Sequence, residues 1–190
     1  MLEYFITSKT KRNLLKLFLT NPERPFYVRE IARLTNEPVN AVRRELNYLK
    51  KAGLLNSLTR GNQKYFSVIK DFPFYSELKK IIYGTIALGD YLGKFMIDSK
   101  EIELAFIYGS VVSNQETAKS DIDLLVVGEI DEDELHRTIM AVEKDIGRQV
   151  NYTLMGHDEY LNRRKKGEPF IKRILADKKI LLKGDPNVFS

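Results

Sequence analysis

The apolar positions of the chain change period several times, and each change marks a new element. From Ser8 onward Leu14, Leu15, Leu17, Phe18 and Leu19 recur at helical spacing until Asn21-Pro22, which predicts a helix capped by Ser8 with its apolar face in a core. Val28, Ile31 and Leu34 then share one face of a shorter helix, broken at Thr35-Asn36-Glu37 ahead of Pro38. From Pro38 to Ala52, Val39, Val42, Leu46 and Leu49 repeat at three and four, and the opposite face carries Asn40, Arg43, Arg44, Asn47 and Lys51. Gly53 closes this third helix. Leu54-Leu55, Ser57-Leu58, the turn Arg60-Gly61-Asn62-Gln63 and the run Lys64 to Val68 predict a hairpin with a basic tip.

Past residue 70 the pattern changes. Leu78, Ile81, Ile82, Ile86, Leu88, Leu92, Phe95 and Met96 form a broad stripe between Pro73 and Lys100, which predicts a connecting helix interrupted at Gly84, Gly89 and Gly93. Such a stripe suits core packing, and over residues 73–98 it also offers a surface for a homodimer. Glu103 to Tyr108 reads as a buried strand stopped by Gly109-Ser110, and Asp121 to Val127 as a second strand stopped by Gly128. Asp131-Glu132-Asp133-Glu134 opens a helix that runs to Gly147, acids in the first turn suiting the helix dipole. Gln149 to Met155 is a third strand and Lys179 to Leu182 a fourth, with Phe170, Ile171, Ile174 and Leu175 as core. The class is α+β, in three parts: 1–70, a connecting helix over 71–99, and 100–190.

Charge separates these parts. Residues 1–70 hold 14 Lys and Arg against 5 Asp and Glu, a net +9, so the rest of the chain is at −4 within an overall +5. The basic part favours polyanions because neutralised phosphates release counterions, and the acidic part does not share that bias. The chain has no cysteine, which excludes disulfides, thiolate metal sites and cysteine nucleophiles and leaves oxygen and histidine as metal donors. His136 and His157 are isolated and read as surface or cap residues. No basic leader or apolar run of about 18 residues occurs, so the expectation is a soluble cytoplasmic protein with no membrane association.

The chemistry gathers where the second strand begins. Strand side chains alternate, so Asp121 and Asp123 share a face; two carboxylates this close repel, and a divalent cation with oxygen ligands such as Mg²⁺ relieves them. Gly109 permits close backbone approach, and Ser110 offers a hydroxyl and an amide where a phosphate is favoured. The run Arg163-Arg164-Lys165-Lys166 reads as a solvated face, or as a contact for an acidic acceptor such as RNA.

Two resemblances add to this reading. "YVREIARLTNEPVNAVRRELNYLKKAGLL" and "RGNQKYFSV" resemble winged-helix regulators of the arsenic-repressor type over about residues 8–70. That resemblance implies a third helix in the major groove of double-stranded DNA, so Asn40, Arg43, Arg44, Asn47 and Lys51 are candidate contacts, with Arg60 and Lys64 contacting from the wing. "FIYGSVVSNQETAKSDIDLLVVG" resembles the polymerase-beta-type nucleotidyltransferase superfamily, in particular its small stand-alone members, over roughly residues 100–184. This second resemblance implies a mixed sheet flanked by helices, two Mg²⁺ ions bound with a nucleoside triphosphate, and transfer of a nucleoside monophosphate with release of pyrophosphate. Asp121 and Asp123 are then catalytic metal ligands, and Gly109 and Ser110 hold the triphosphate.

The chain departs from that family at one position. Active members carry a third carboxylate on the next core strand, where it ligates metal and serves as a base; here the matching residue is Asn151, whose amide can ligate metal through oxygen but cannot accept a proton at neutral pH. Glu103, Asp131 and Asp158 remain as acids that the fold can bring to the site. The expectation is therefore a DNA-binding protein with a nucleotidyltransferase domain acting on an unidentified acceptor. The alternatives are a transcriptional regulator whose weak or inactive nucleotidyltransferase fold senses nucleotide, and an antitoxin-like module that binds a toxin-like protein.

Overall fold

In the computed structural model, which describes residues 2–87, 92, 95, 96, 98–113, 117 and 120–187, the chain divides into two compact units, residues 1–87 and 88–190. The first begins with a short helix α1 (Leu2–Phe5) and a longer one, α2 (Lys9–Thr20), whose N-cap Ser8 accepts a hydrogen bond from the Lys11 amide at 3.2 Å. Leu14, Leu15, Phe18 and Leu19 of α2 are buried, as their spacing predicts. Helices α3 (Val28–Thr35) and α4 (Val39–Lys51) follow. Two glutamates tie them to the start of α2: Glu45 on α4 accepts from Ser8 Oγ at 2.9 Å, and Glu37 accepts from Thr10 Oγ1 at 2.8 Å and Asn13 Nδ2 at 2.9 Å. Leu34, expected on the buried face of α3, is half exposed; Asn36 ends the helix in a left-handed cap, and Ala32 turns inward beside Ile31 instead.

Strands β2 (Leu55–Arg60) and β3 (Gln63–Val68) form the expected hairpin. A third strand, β1 (Phe26–Tyr27), pairs antiparallel with β3 through Phe26 with Phe66 and Tyr27 with Tyr65. Two residues are too short for a periodicity to show, but Phe26 is buried edge-on against Phe18 at 5.7 Å, which fixes the strand to α2. Helix α5 (Tyr75–Ile82) widens into a π-helical segment over Tyr83–Ala87, so the interruption expected at Gly84 is a change of helical pitch. Within the expected connecting helix, residues 88–91, 93, 94 and 97, among them Gly89 and Gly93, lie outside the described residues.

The second unit is built on a four-stranded mixed sheet in the order β6-β5-β4-β7, from β4 (Ile102–Tyr108), β5 (Ile122–Gly128), β6 (Val150–Met155) and β7 (Ile180–Lys183). β4 runs antiparallel to both β5 and β7, and β5 runs parallel to β6. The central strands are covered on both faces, which is why their sequences read as nearly unbroken apolar runs. On one face Leu104, Phe106, Leu125 and Val127 pack with Met155, Tyr160, Ile171 and Ile174, the last three from helices α8 (His157–Lys165) and α9 (Pro169–Ala176). Alternate residues Ile122, Leu124 and Val126 are equally buried. Helix α7 (Glu132–Ile146) starts on Asp131, which accepts from the Asp133 amide at 2.9 Å, and stops at Gly147 with φ 69°. A single helical turn, α6 (Ser110–Ser113), follows β4. Leu181 of β7 pairs with the buried Phe106 but is itself 45% exposed, because β7 is the margin of the sheet. No helix among the described residues is long and apolar enough to cross a membrane.

Candidate functional site

The register of the sheet assembles the site. Tyr108 at the end of β4 lies opposite Asp123 on β5, and Asp123 lies beside Asn151 on β6, so the three residues form one row across the sheet. The chain turns out of β4 at Gly109, with φ 79°, and a Cβ placed there would collide with Oδ2 of Asp123. Only glycine gives both the backbone angle and the space. Gly109→Ala is therefore expected to displace Asp123, destabilising the unit by about 1–3 kcal/mol and weakening any ligand held by that carboxylate; calorimetric unfolding and nucleotide titration read the two effects.

Asp121 sits one residue ahead of the strand in which its spacing places it, since the β5 ladder starts at Ile122. It is nonetheless fixed: Asn151 Nδ2 donates to Asp121 Oδ2 at 3.0 Å. Asp123 is half-buried, and burial followed by the charge of Asp121 pushes its carboxyl pKa above the ordinary value. Beside it the Tyr108 phenol is pushed up by burial and by Asp123, opposed by a hydrogen bond with Thr153 and the charge of Arg173. Its ring packs edge-on against Phe170 of α9 at 5.9 Å. Ser110 opens α6 directly after Gly109 and is half-buried. The geometry brings Gly109, Ser110, Asp121, Asp123 and Asn151 to one end of the sheet.

The other candidate acids lie elsewhere. β4 is antiparallel to β5, so Glu103 lies at the Gly128 end, where Asp131 and Asp158 also follow their strands. Each has a local role or an exposed position: Glu103 meets His157 Nδ1 at 2.9 Å, Asp131 caps α7, and Asp158 is exposed in the first turn of α8. His136 lies tilted against Tyr152, with ring centroids 6.3 Å apart. Arg163 is held by Glu159 at 2.7 Å and Glu168 at 3.3 Å, while Lys165 and Lys166 face solvent. No group of three or more His, Asp or Glu placed to hold a metal ion occurs among the described residues.

Sequence reasoning passed over Arg148. It follows Gly147 and reads as an ordinary turn residue, yet it is 8% exposed, and its Nε and Nη2 donate to the Ser120 carbonyl at 3.1 and 2.5 Å. Ser120 immediately precedes Asp121.

In the first unit Asn40, Arg43, Arg44, Asn47 and Lys51 are all exposed on α4. Arg43 and Asn47 join Lys64 in lining a concave surface of about 590 Å³, together with Tyr27, Arg29, Asn62 and Gln63; no acidic residue lines it. Arg60 points elsewhere. It lies over the Tyr65 ring and lines a separate hollow of about 320 Å³ that also contains Glu23.

A family model described as Polymerase beta, Nucleotidyltransferase matches residues 91–187, just over half of the chain. Among solved structures, one described as a toxin-antitoxin with AMP-PNP is 15% identical, with 52% of this chain and 74% of that chain covered and a TM-score of 0.36. A structure from Sulfolobus solfataricus, provisionally described as a nucleotidyltransferase, is 18% identical, with 60% of this chain and 93% of that chain covered and a TM-score of 0.31. Likenesses this weak do not bear on function. No curated protein matches the chain.

Proposed function

The chain belongs to the polymerase beta nucleotidyltransferase family, and on that premise we propose that Gly109, Ser110, Asp121 and Asp123 bind a nucleoside triphosphate with a divalent cation and pass a nucleoside monophosphate to an acceptor hydroxyl. The observation that carries this reading is the row Tyr108-Asp123-Asn151, with Gly109 packed so closely on Asp123 that no side chain fits between them. The donor set suits a cation: Asp123 is disfavoured as an anion by burial and by Asp121, and a positive charge shared with a triphosphate relieves both. Mg²⁺ bound there would neutralise triphosphate charge and polarise the α-phosphorus.

The remaining roles belong to the chain. Gly109 lets backbone approach the phosphates, Ser110 supplies hydroxyl and amide donors, and the two aspartates orient the charged end of the nucleotide. The acceptor oxygen forms a bond to the α-phosphorus as the bond to the bridging oxygen breaks, pyrophosphate leaves, and the hydroxyl proton passes to solvent, because Asn151 has no basic atom. The test is pyrophosphate release from each of the four nucleoside triphosphates with Mg²⁺ and candidate acceptors. Release that disappears in Asp121→Asn supports transfer, and absence of release from every nucleotide tried counts against it.

Asn151 favours a second reading, in which the site binds nucleotide and turns it over weakly or not at all. Its neutral amide stands beside Asp123 where the family resemblance leads one to expect a third carboxylate, and it donates to Asp121. The net +9 of residues 1–70 gives such a site something to regulate. This unit reads as a winged helix that binds double-stranded DNA through α4 and the hairpin, with the acid-free concavity of Arg43, Asn47 and Lys64 as its basic centre. Arg43→Ala with Arg44→Ala is expected to weaken duplex binding and to lower the salt slope by about 0.9 for each phosphate that is no longer neutralised. Lys64→Ala should cost more than Arg60→Ala, because Arg60 faces the other hollow. Fluorescence anisotropy across a salt series measures both, and unchanged affinity in the double variant removes α4 from the interface.

A further inference from the structure

We propose that Arg148 is the positioning residue for Asp121: its guanidinium fixes the backbone from which the first carboxylate reaches the metal-nucleotide site. This rests on the nucleotide-binding reading above. Asp121 stands ahead of the β5 ladder and so lacks the cross-strand bonds that hold Asp123. What holds it comes from residues 148–151. The Ser120 carbonyl on one side of Asp121 accepts from Arg148 Nε and Nη2, the Ile122 amide on the other side donates to the Gln149 carbonyl at 2.9 Å, and the carboxylate itself accepts from Asn151 Nδ2. The peptide groups flanking Asp121 are thus held by consecutive residues of the turn between α7 and β6.

That turn is itself rigid. Gly147 is left-handed and donates to the Glu143 carbonyl at 2.8 Å, while Glu143 Oε1 accepts from the Val150 amide at 2.7 Å. Arg148 therefore projects from a fixed base into a buried position. Its planar fork places two donors on one oxygen and suppresses both swing and twist of the Ser120-Asp121 peptide, which a single flexible ammonium cannot do. A carboxylate ligand needs its orientation held within about 10–20°, and removing such a supporting hydrogen bond typically lowers metal affinity about 10- to 100-fold.

The test uses the full chain, with Mg²⁺ and AMP-PNP titrated by calorimetry alongside thermal melts of the native chain, Arg148→Lys, Arg148→Gln and Ile146→Val. The last variant disturbs a residue buried in the same segment without altering Arg148. Expected is at least about a 10-fold loss of Mg²⁺-nucleotide affinity in both Arg148 variants, with Ile146→Val binding as the native chain does. Native affinity in Arg148→Lys and Arg148→Gln overturns the proposal. So does an affinity loss in Ile146→Val that matches theirs at equal melting temperature, or failure of both Arg148 variants to fold, since either makes Arg148 a stability residue only. Absence of binding by the native chain overturns the nucleotide reading itself, and this proposal with it.

Discussion

Asn151→Asp is expected to raise pyrophosphate release by about 10²-fold or more over the native chain, the range in which a positioned base contributes. The side chain already stands in the row with Asp123 and within hydrogen-bond reach of Asp121, so under the proposed function the change adds a third carboxylate beside the two aspartates, with little change of volume. It also exchanges a hydrogen-bond donor for a charge. Without metal, three carboxylates then crowd one end of the sheet, and the variant should melt below the native chain; Mg²⁺ should raise its melting temperature by more than it raises the native one. The rate should increase with pH as the new carboxylate ionises. Equal rates for native and variant would mean that position 151 is not where the acceptor is activated.

The second large effect runs the opposite way for stability and for binding. Asp123→Asn is expected to melt higher than the native chain in EDTA near neutral pH and, under the proposed function, to lose about 10²-fold or more in Mg²⁺-nucleotide affinity, as removal of the proposed ligand charge should exceed removal of a supporting hydrogen bond. The sign follows from the raised pKa of Asp123, caused first by burial and then by Asp121. Between the ordinary carboxylate value and the raised one, the folded chain keeps a proton that the unfolded chain has released. Stability therefore falls as pH climbs through that window and stays lower above it, while below it both states are protonated and nothing is lost. Asparagine does not titrate, so the variant lacks this fall. Melting temperature against pH in EDTA, for both proteins, measures it; parallel profiles would show that Asp123 does not strain the native fold.

Much of this site was legible from local pattern. The apolar runs that end at Tyr108 and at Gly128 are strands because both faces are covered, and the turn at Gly109-Ser110 is where the first run stops. Asn151 is singled out by the family resemblance, and its pairing with Asp123 comes from the register of β5 with β6. What could not be read depends on register and on contacts distant in sequence. Whether Asp121 stands in the ladder or ahead of it is decided by where β6 begins to pair. Arg148 shows no periodicity, and its value comes from a carbonyl 28 residues earlier. Glu103, Asp131 and Asp158 read as surface or capping residues from sequence, and their place at the far end of the sheet comes from the antiparallel run of β4 and from where β5 and β6 end. The basic face of α4 was visible by spacing, but the division of Lys64 from Arg60 depends on which side of the hairpin each side chain leaves. β1 escaped because its two residues are held by Phe18 and β3 and not by any pattern of their own.

The central position of β4 has a consequence for how the second unit is made. Phe106 meets Leu125 nineteen residues later in the chain and Leu181 seventy-five residues later. The longer closure adds only about 1.2 kcal/mol of loop entropy, so the arrangement is thermodynamically inexpensive. In time it is different. During synthesis the strands that carry Asp123 and Asn151 can pair while one margin of β4, apolar over nearly its whole length, waits for Ile180–Lys183 to emerge. Until then the nascent sheet exposes a seven-residue, largely apolar strand on an open edge, and pairing with Ile180–Lys183 moves that edge onto a strand of only four residues.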